Sequence, residues 1–273
     1  MTRVPVIRLS YILLPRLATF ESLDRLGNLF AMLRDCGYAG VELNLTEPFG
    51  IDRLALHRLL TDAGLVVPSF LTGEAYQDGL CLSSPDASIR ARTVQRLTGY
   101  LDVAQEFGAV LVVGLLQGQR RDEPNPAVAN QRIVESLKVV AEAASVKGVV
   151  VVIEPVNHLQ VGFNNSVAEV LALIDSIGVP SVRPMVDTIH LNIEEKSLTK
   201  PIIDCGPALR HVHLCESNGG QFGTGHIDFQ AVRRALEEIE FEGFASVKVY
   251  RHARIEDAAR TSIEHLRRAG FCT

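Results

Sequence analysis

Apolar runs of strand length alternate with stretches of helical period from one end of this chain to the other. Residues 4–10 predict a first strand, and Leu23, Leu26, Leu29, Phe30 and Leu33 recur at helical spacing across Leu23–Cys36. A second strand follows over residues 40–45, then a helix over 51–63 that Gly64 stops, then a third strand over 65–71. Pro85-Asp86 opens a long helix that ends near Phe107-Gly108. Residues 109–116 form the fourth strand, and Pro126 starts a helix running to Lys147-Gly148.

In the second half each apolar run ends in a polar residue. Residues 149–153 end in Glu154, 182–186 in Asp187, 209–212 in His213 and 244–247 in Lys248. Helices are predicted over Val167–Ile177, 229–239 and 255–269, with only a short one near residues 194–197. Eight strand–helix repeats without a Pro/Gly/Ser-rich linker predict a single (β/α)8 TIM barrel spanning residues 1–273. A doubly wound sheet would carry a glycine-rich turn after its first strand, and Ser10-Tyr11-Ile12-Leu13-Leu14-Pro15 is not one.

A hydrophobic content of 47% suffices for a large core. Net charge is −5 with no basic run, which argues against a nucleic-acid partner. The longest apolar runs are too short for a bilayer, so no membrane association is expected, and residues 1–5 show no apolar signal segment. Five scattered cysteines, odd in number and without CxxC spacing, argue against disulfides or structural zinc and fit a reducing, cytoplasmic setting. Cys215 follows His213 closely enough to approach a site there, although a small buried residue is the plainer reading.

Strand tips meet around one axis in such a barrel, and active sites form there. Glu154, Asp187 and His213 are donors of the kind that hold Mn²⁺, Mg²⁺, Co²⁺ or Zn²⁺. A 2-hydroxy-ketone on such an ion has its neighbouring C–H acidified, and Glu154 is placed to take that proton. Any one strand-end carboxylate could merely cap a helix; three polar residues at consecutive tips favour a site. His190, one turn past Asp187, is a substrate donor or orients Asp187. His211 sits a layer deeper and reads as a satisfied core histidine. Glu42 is either a substrate contact or the partner of Arg8 in an interior ion pair. The glycine-rich segment 213–228 can approach a ligand and offers Glu216 to it, with Asp228 as N-cap of the next helix.

These residues resemble the xylose-isomerase-like TIM-barrel superfamily of sugar isomerases and epimerases, which also contains endonuclease IV, and within it the D-tagatose 3-epimerase/D-psicose epimerase group. The resemblance implies a carbohydrate substrate, a homo-oligomer, and one divalent metal on Glu154, Asp187, His213 and a fourth residue. It matches His190 to a substrate-binding histidine and sets Asn157 in the motif that follows Glu154. The residues read as substrate contacts are Asn157, Gln160 and Glu216, and the catalytic set is read as Glu154, His190 and Lys248. Three departures stand out. Lys248 takes the place of the fourth ligand, a glutamate. His158 and Gln160 replace an arginine and a second glutamate, and Asn218-Gly219-Gly220 replaces an arginine loop. Lys248 admits three readings: an ammonium standing where the metal would be, a general acid beside a metal held by three side chains, or a Schiff-base lysine. The expectation is isomerisation or epimerisation by proton abstraction next to a carbonyl. Elimination and sugar binding without turnover are the alternatives. A nuclease is disfavoured by the histidine-free third and fourth strand tips.

Overall fold

The computed structural model describes residues 7–271, so residues 4–6 of the expected first strand and Cys272 lie outside the described residues. Eight parallel strands close in sequence order, with β1 completing the ring against β8. They are β1 (Arg8–Leu13), β2 (Gly40–Asn44), β3 (Ser69–Leu71), β4 (Val110–Val113), β5 (Val151–Ile153), β6 (Val182–Asp187), β7 (His211–Cys215) and β8 (Phe244–Lys248). The helices are α1 (Leu23–Cys36), α2 (Arg53–Ala63), the short α3 (Glu74–Gln77), α4 (Ala87–Phe107), α5 (Pro126–Lys147), α6 (Val167–Ile177), α7 (Thr188–Glu194), α8 (Lys200–Cys205), α9 (Phe229–Glu238) and α10 (Ile255–Arg268). Side chains fix several boundaries. Ser166 and Glu169 form a capping box at the start of α6, Asp228 caps α9 as expected, and Gly148 at φ 67° turns the chain from α5 toward β5.

Several boundaries differ from the sequence reading, and three of them have a plain physical cause. β1 runs on through Tyr11, Ile12 and Leu13, which pair with β2 and are buried; a strand covered on both faces gives no alternation to mark its end. β3 contracts to three residues because Pro68, immediately before it, has no N–H to donate. After β6 there are two helices, and residues 195–199 connect them. Asp187 caps α7 by accepting from the Ile189 N–H at 3.0 Å, and Ser197 Oγ accepts from the N–H groups of Thr199 and Lys200 at the approach to α8. Among the described residues no helix is long and apolar enough to cross a membrane.

Most of the core lies between the strands and the helices, but the inside of the barrel is divided. Val110, Val112, Val152 and Met185 pack the side formed by β4, β5 and β6. Polar side chains fill the opposite side: Ser10 Oγ lies 2.6 Å from Ser246 Oγ, and His211 Nε2 lies 3.2 Å from both Ser69 Oγ and Ser246 Oγ. Each polar group there has a partner, which is the condition for burying it.

Helix α5 offers a check on the outer layer, since Leu137 is fully buried while Val146 is 89% exposed. Leu137→Ala should cost about 2–5 kcal/mol and Val146→Ala less than about 0.5 kcal/mol, as measured by urea unfolding.

Candidate active site

The barrel register sets the heights of the tip residues. Asp187 is level with His213, and Lys248 is level with Cys215, two residues further up β7. Glu154 directly follows β5, its N–H bonded to the Val113 carbonyl at 3.0 Å. The four side chains converge. His213 Nδ1 lies 3.2 Å from Glu154 Oε1 and 3.5 Å from Asp187 Oδ2. Lys248 Nζ lies 2.6 Å from Asp187 Oδ2 and 3.6 Å from Glu154 Oε1. All four are almost wholly buried.

Beneath them lies Glu42 on β2, completely buried. It holds His213 Nε2 at 3.0 Å through one oxygen and His211 Nε2 at 3.1 Å through the other. The expected pairing with Arg8 is corrected: Arg8 is exposed and lies over the Phe244 ring at 4.2 Å. His213 faces a carboxylate from each ring nitrogen, an arrangement that favours the imidazolium. Burial opposes that charge, but Glu42, Asp187 and Glu154 outweigh it and raise the His213 pKa well above the ordinary value. Burial likewise opposes ionisation of Glu42, and the two histidines overcome it, holding its carboxyl well below the usual range.

The same contest is settled in favour of charge at the rim. Against burial, the Lys248 ammonium and then His213 pull the Glu154 pKa down to about 2, and Asp187 is lowered as well. Lys248 is raised well above its ordinary value, burial being outweighed chiefly by Asp187. A Schiff-base lysine needs the opposite shift, so that reading does not fit this environment. Cys215 is fully buried at the end of β7, its thiol raised by burial, and its backbone is fastened to Thr188 Oγ1 in both directions, at 2.7 and 2.8 Å.

His190 projects from α7 beside the cluster. Asn157 Oδ1 accepts from the Leu159 N–H, so its Nδ2 donates to His190 Nδ1 at 2.7 Å, leaving the proton of the neutral ring on Nε2. That nitrogen stands 3.7 Å from Glu154 and 3.9 Å from Asp187. Burial lowers the His190 pKa despite the nearby Asp187, so the ring is a neutral donor.

A cavity of about 310 Å³ opens above these groups, within the range of small-molecule sites. Glu154, His190, Lys248, Gln160 and Tyr250 contribute to its wall, the Tyr250 ring lying 5.1 Å from the ammonium. The wall includes Gly114, where a Cβ would stand 2.6 Å from Glu154 Oε2, so only glycine lets the backbone pass there. Glu42 and Glu216 are not part of this wall. Glu216 is turned into its own loop, accepting from the N–H groups of Ser217 and Gly223 at 2.9 and 3.0 Å. His158 points outward to Glu194 at 2.6 Å. A larger groove of about 710 Å³ lies beside α4, where Arg96 pairs with Asp78, but it gathers no comparable set.

By distance alone, Glu154, Asp187 and His190 can hold a metal ion, as can Glu42, His211 and His213, since the donor atoms in each set lie within 4.8 Å of one another. By charge, the upper set does not suit one. The oxygens it would offer, Asp187 Oδ2 and Glu154 Oε1, already face the ammonium and the imidazolium. A dication 4 Å from Lys248 would meet a repulsion of about 8 kcal/mol at an effective dielectric of 20. Sequence reasoning found the four tip residues but missed that Glu42 couples both histidines. The available signal was parity, since Glu42, His211 and His213 all point into the barrel.

The family model described as Xylose isomerase-like TIM barrel matches residues 30–269. A ketose 3-epimerase of Arthrobacter globiformis is 32% identical over 212 residues, covering 77% of this chain and 72% of that protein. An L-ribulose 3-epimerase of Methylomonas sp. (strain DH-1) is 31% identical over 209 residues, covering 76% and 72%. In fold, the chain is similar to a crystal structure of a D-allulose 3-epimerase from Methylomonas sp., with a TM-score of 0.84 and 24% identity over 97% of this chain and 98% of that one.

Carboxyls held low in the folded state stabilise it above their unfolded pKa and lose that effect as pH falls. For Glu154 the window runs from 4.5 down to about 2. The urea midpoint should fall across it, and more steeply in the native chain than in Glu154→Gln; equal slopes would show that Glu154 is not held ionised.

Proposed function

Since the chain belongs to the xylose isomerase-like TIM-barrel family, we propose that it is a carbohydrate epimerase or isomerase that moves the proton next to the carbonyl of a small keto-sugar. One observation carries this reading: an ionised Glu154, a Lys248 ammonium and the Nε2–H of His190 meet at one cavity. Proton abstraction beside a carbonyl needs a base for the carbon and donors for the oxygen, and these are the three groups present. The ketose specificity of the Arthrobacter and Methylomonas relatives supports the same substrate class.

Glu154 takes the proton from carbon, and the carbonyl oxygen gathers negative charge toward Lys248 and His190. The ion pair that keeps Glu154 ionised also makes it a weak base at rest. As charge grows on the substrate oxygen, the ammonium turns its attraction from the carboxylates to that oxygen. Glu154 thereby gains proton affinity as the reaction requires it. Asp187 and His213 hold the two partners in register, and Gln160 and Tyr250 contact the sugar from the wall. Delivery of a proton to the opposite face of the same carbon gives an epimer, and delivery to the former carbonyl carbon gives an isomer. Expulsion of a β-hydroxyl from the same enediolate is the competing outcome.

Incubation in D₂O with a panel of ketopentoses, ketohexoses and keto-inositols should place deuterium beside the carbonyl of at least one, read by NMR. Glu154→Gln should slow the exchange by about 10²–10⁴-fold. Absence of exchange across the panel would sink the reading.

A further inference from the structure

The sugar-side oxygens of this site are already committed to positive charge supplied by the chain itself. Asp187 Oδ2 faces Lys248 Nζ at 2.6 Å and His213 Nδ1 at 3.5 Å. Glu154 Oε1 faces His213 Nδ1 at 3.2 Å and Lys248 Nζ at 3.6 Å. His213 Nε2 is engaged by Glu42 at 3.0 Å, and its Nδ1 is the nitrogen turned toward both rim carboxylates. An ion seated on Asp187 and Glu154 would therefore have to displace the ammonium from between them. Lys248 contributes to the wall of the cavity, and its ammonium also lies 5.1 Å from the Tyr250 ring.

We propose that Lys248 is the resident cation of this barrel, standing between Asp187 and Glu154 in place of a divalent metal. The chain then works without a metal, and the ammonium is the charge that meets the substrate oxygen. The second half rests on the proton-abstraction reading; the first does not. In that step the C–H bond breaks toward Glu154, its electron pair forms the new C=C bond, and the carbonyl π pair moves onto oxygen beside Lys248. Reprotonation at carbon reverses the flow, and nothing is oxidised or reduced. A point charge that donates hydrogen bonds replaces an ion that would chelate two substrate oxygens, so recognition shifts from a chelating diol toward a single carbonyl oxygen.

The test separates metal from turnover. Purified full-length protein is stripped with EDTA, incubated with excess MnCl₂, desalted and analysed for bound metal, with thermal unfolding followed in parallel. The native chain should retain no stoichiometric manganese and show no shift in Tm. Its deuterium exchange should be unaffected by EDTA. Lys248→Glu, checked for folding by circular dichroism, should gain about one manganese per chain and a raised Tm, because it supplies a third carboxylate and removes the repulsion. Lys248→Met, assayed in EDTA, should lower exchange by about 10²-fold or more. One equivalent of manganese on the native chain, lost in Asp187→Asn, would overturn the proposal. So would loss of exchange after EDTA that manganese restores. The native-chain measurements decide even if the Lys248 variants fail to fold, and metal content is read whether or not any sugar exchanges.

Discussion

The buried charges at the top of the barrel constrain everything else in this molecule. Glu42, Glu154 and Asp187 are carboxylates withdrawn from water, and the Lys248 ammonium and the His213 imidazolium lie in contact with them. Withdrawing each ion costs several kcal/mol, and mutual attraction repays this only with good geometry and satisfied hydrogen bonds. Such a network is weak evidence for stability. Its five members come from five strands or their tips, so the ring must close in the observed register for any of them to be tolerated.

That requirement explains the division of the barrel interior. The Ser10, Ser69, Ser246 and His211 network and the Glu42 bridge lie on the side where charge must be held, while Val110, Val112, Val152 and Met185 fill the other. An apolar filling throughout would leave the lower nitrogen of His213 without an acceptor, and the imidazolium would lose half its support. The polar side is thus the foundation of the site, reaching down from the rim to the middle of the barrel.

The family frame and the local chemistry point in different directions at one residue. The chain shares its fold and much of its sequence with ketose epimerases, yet the β8 tip carries a cation where the resemblance leads one to expect a glutamate. A single opposite charge in so small a volume reorganises its neighbours: the carboxylates pair instead of waiting for an ion, and the histidine between them becomes a donor. The proposed consequence is a change of electrophile inside an unchanged barrel.

Much of this was legible in the linear order of residues. Strand–helix alternation gave the barrel, the bounds of α1, α5 and α6 were set by caps and glycines that act locally, and Glu154, Asp187, His213 and Lys248 announced themselves as polar ends of apolar runs. Residues that act at a distance were not legible. Arg8 was a plausible partner for Glu42 until the fold placed it exposed at the start of β1, over the Phe244 ring, and Glu216 looked like a ligand contact until its loop folded around it. Whether Lys248 faces a metal, a substrate or a carboxylate depends on which oxygens lie within about 4 Å of it, since charge interactions are decided over that range. Local pattern determines which side chains stand at strand ends, whereas only closure of the barrel determines which of them touch.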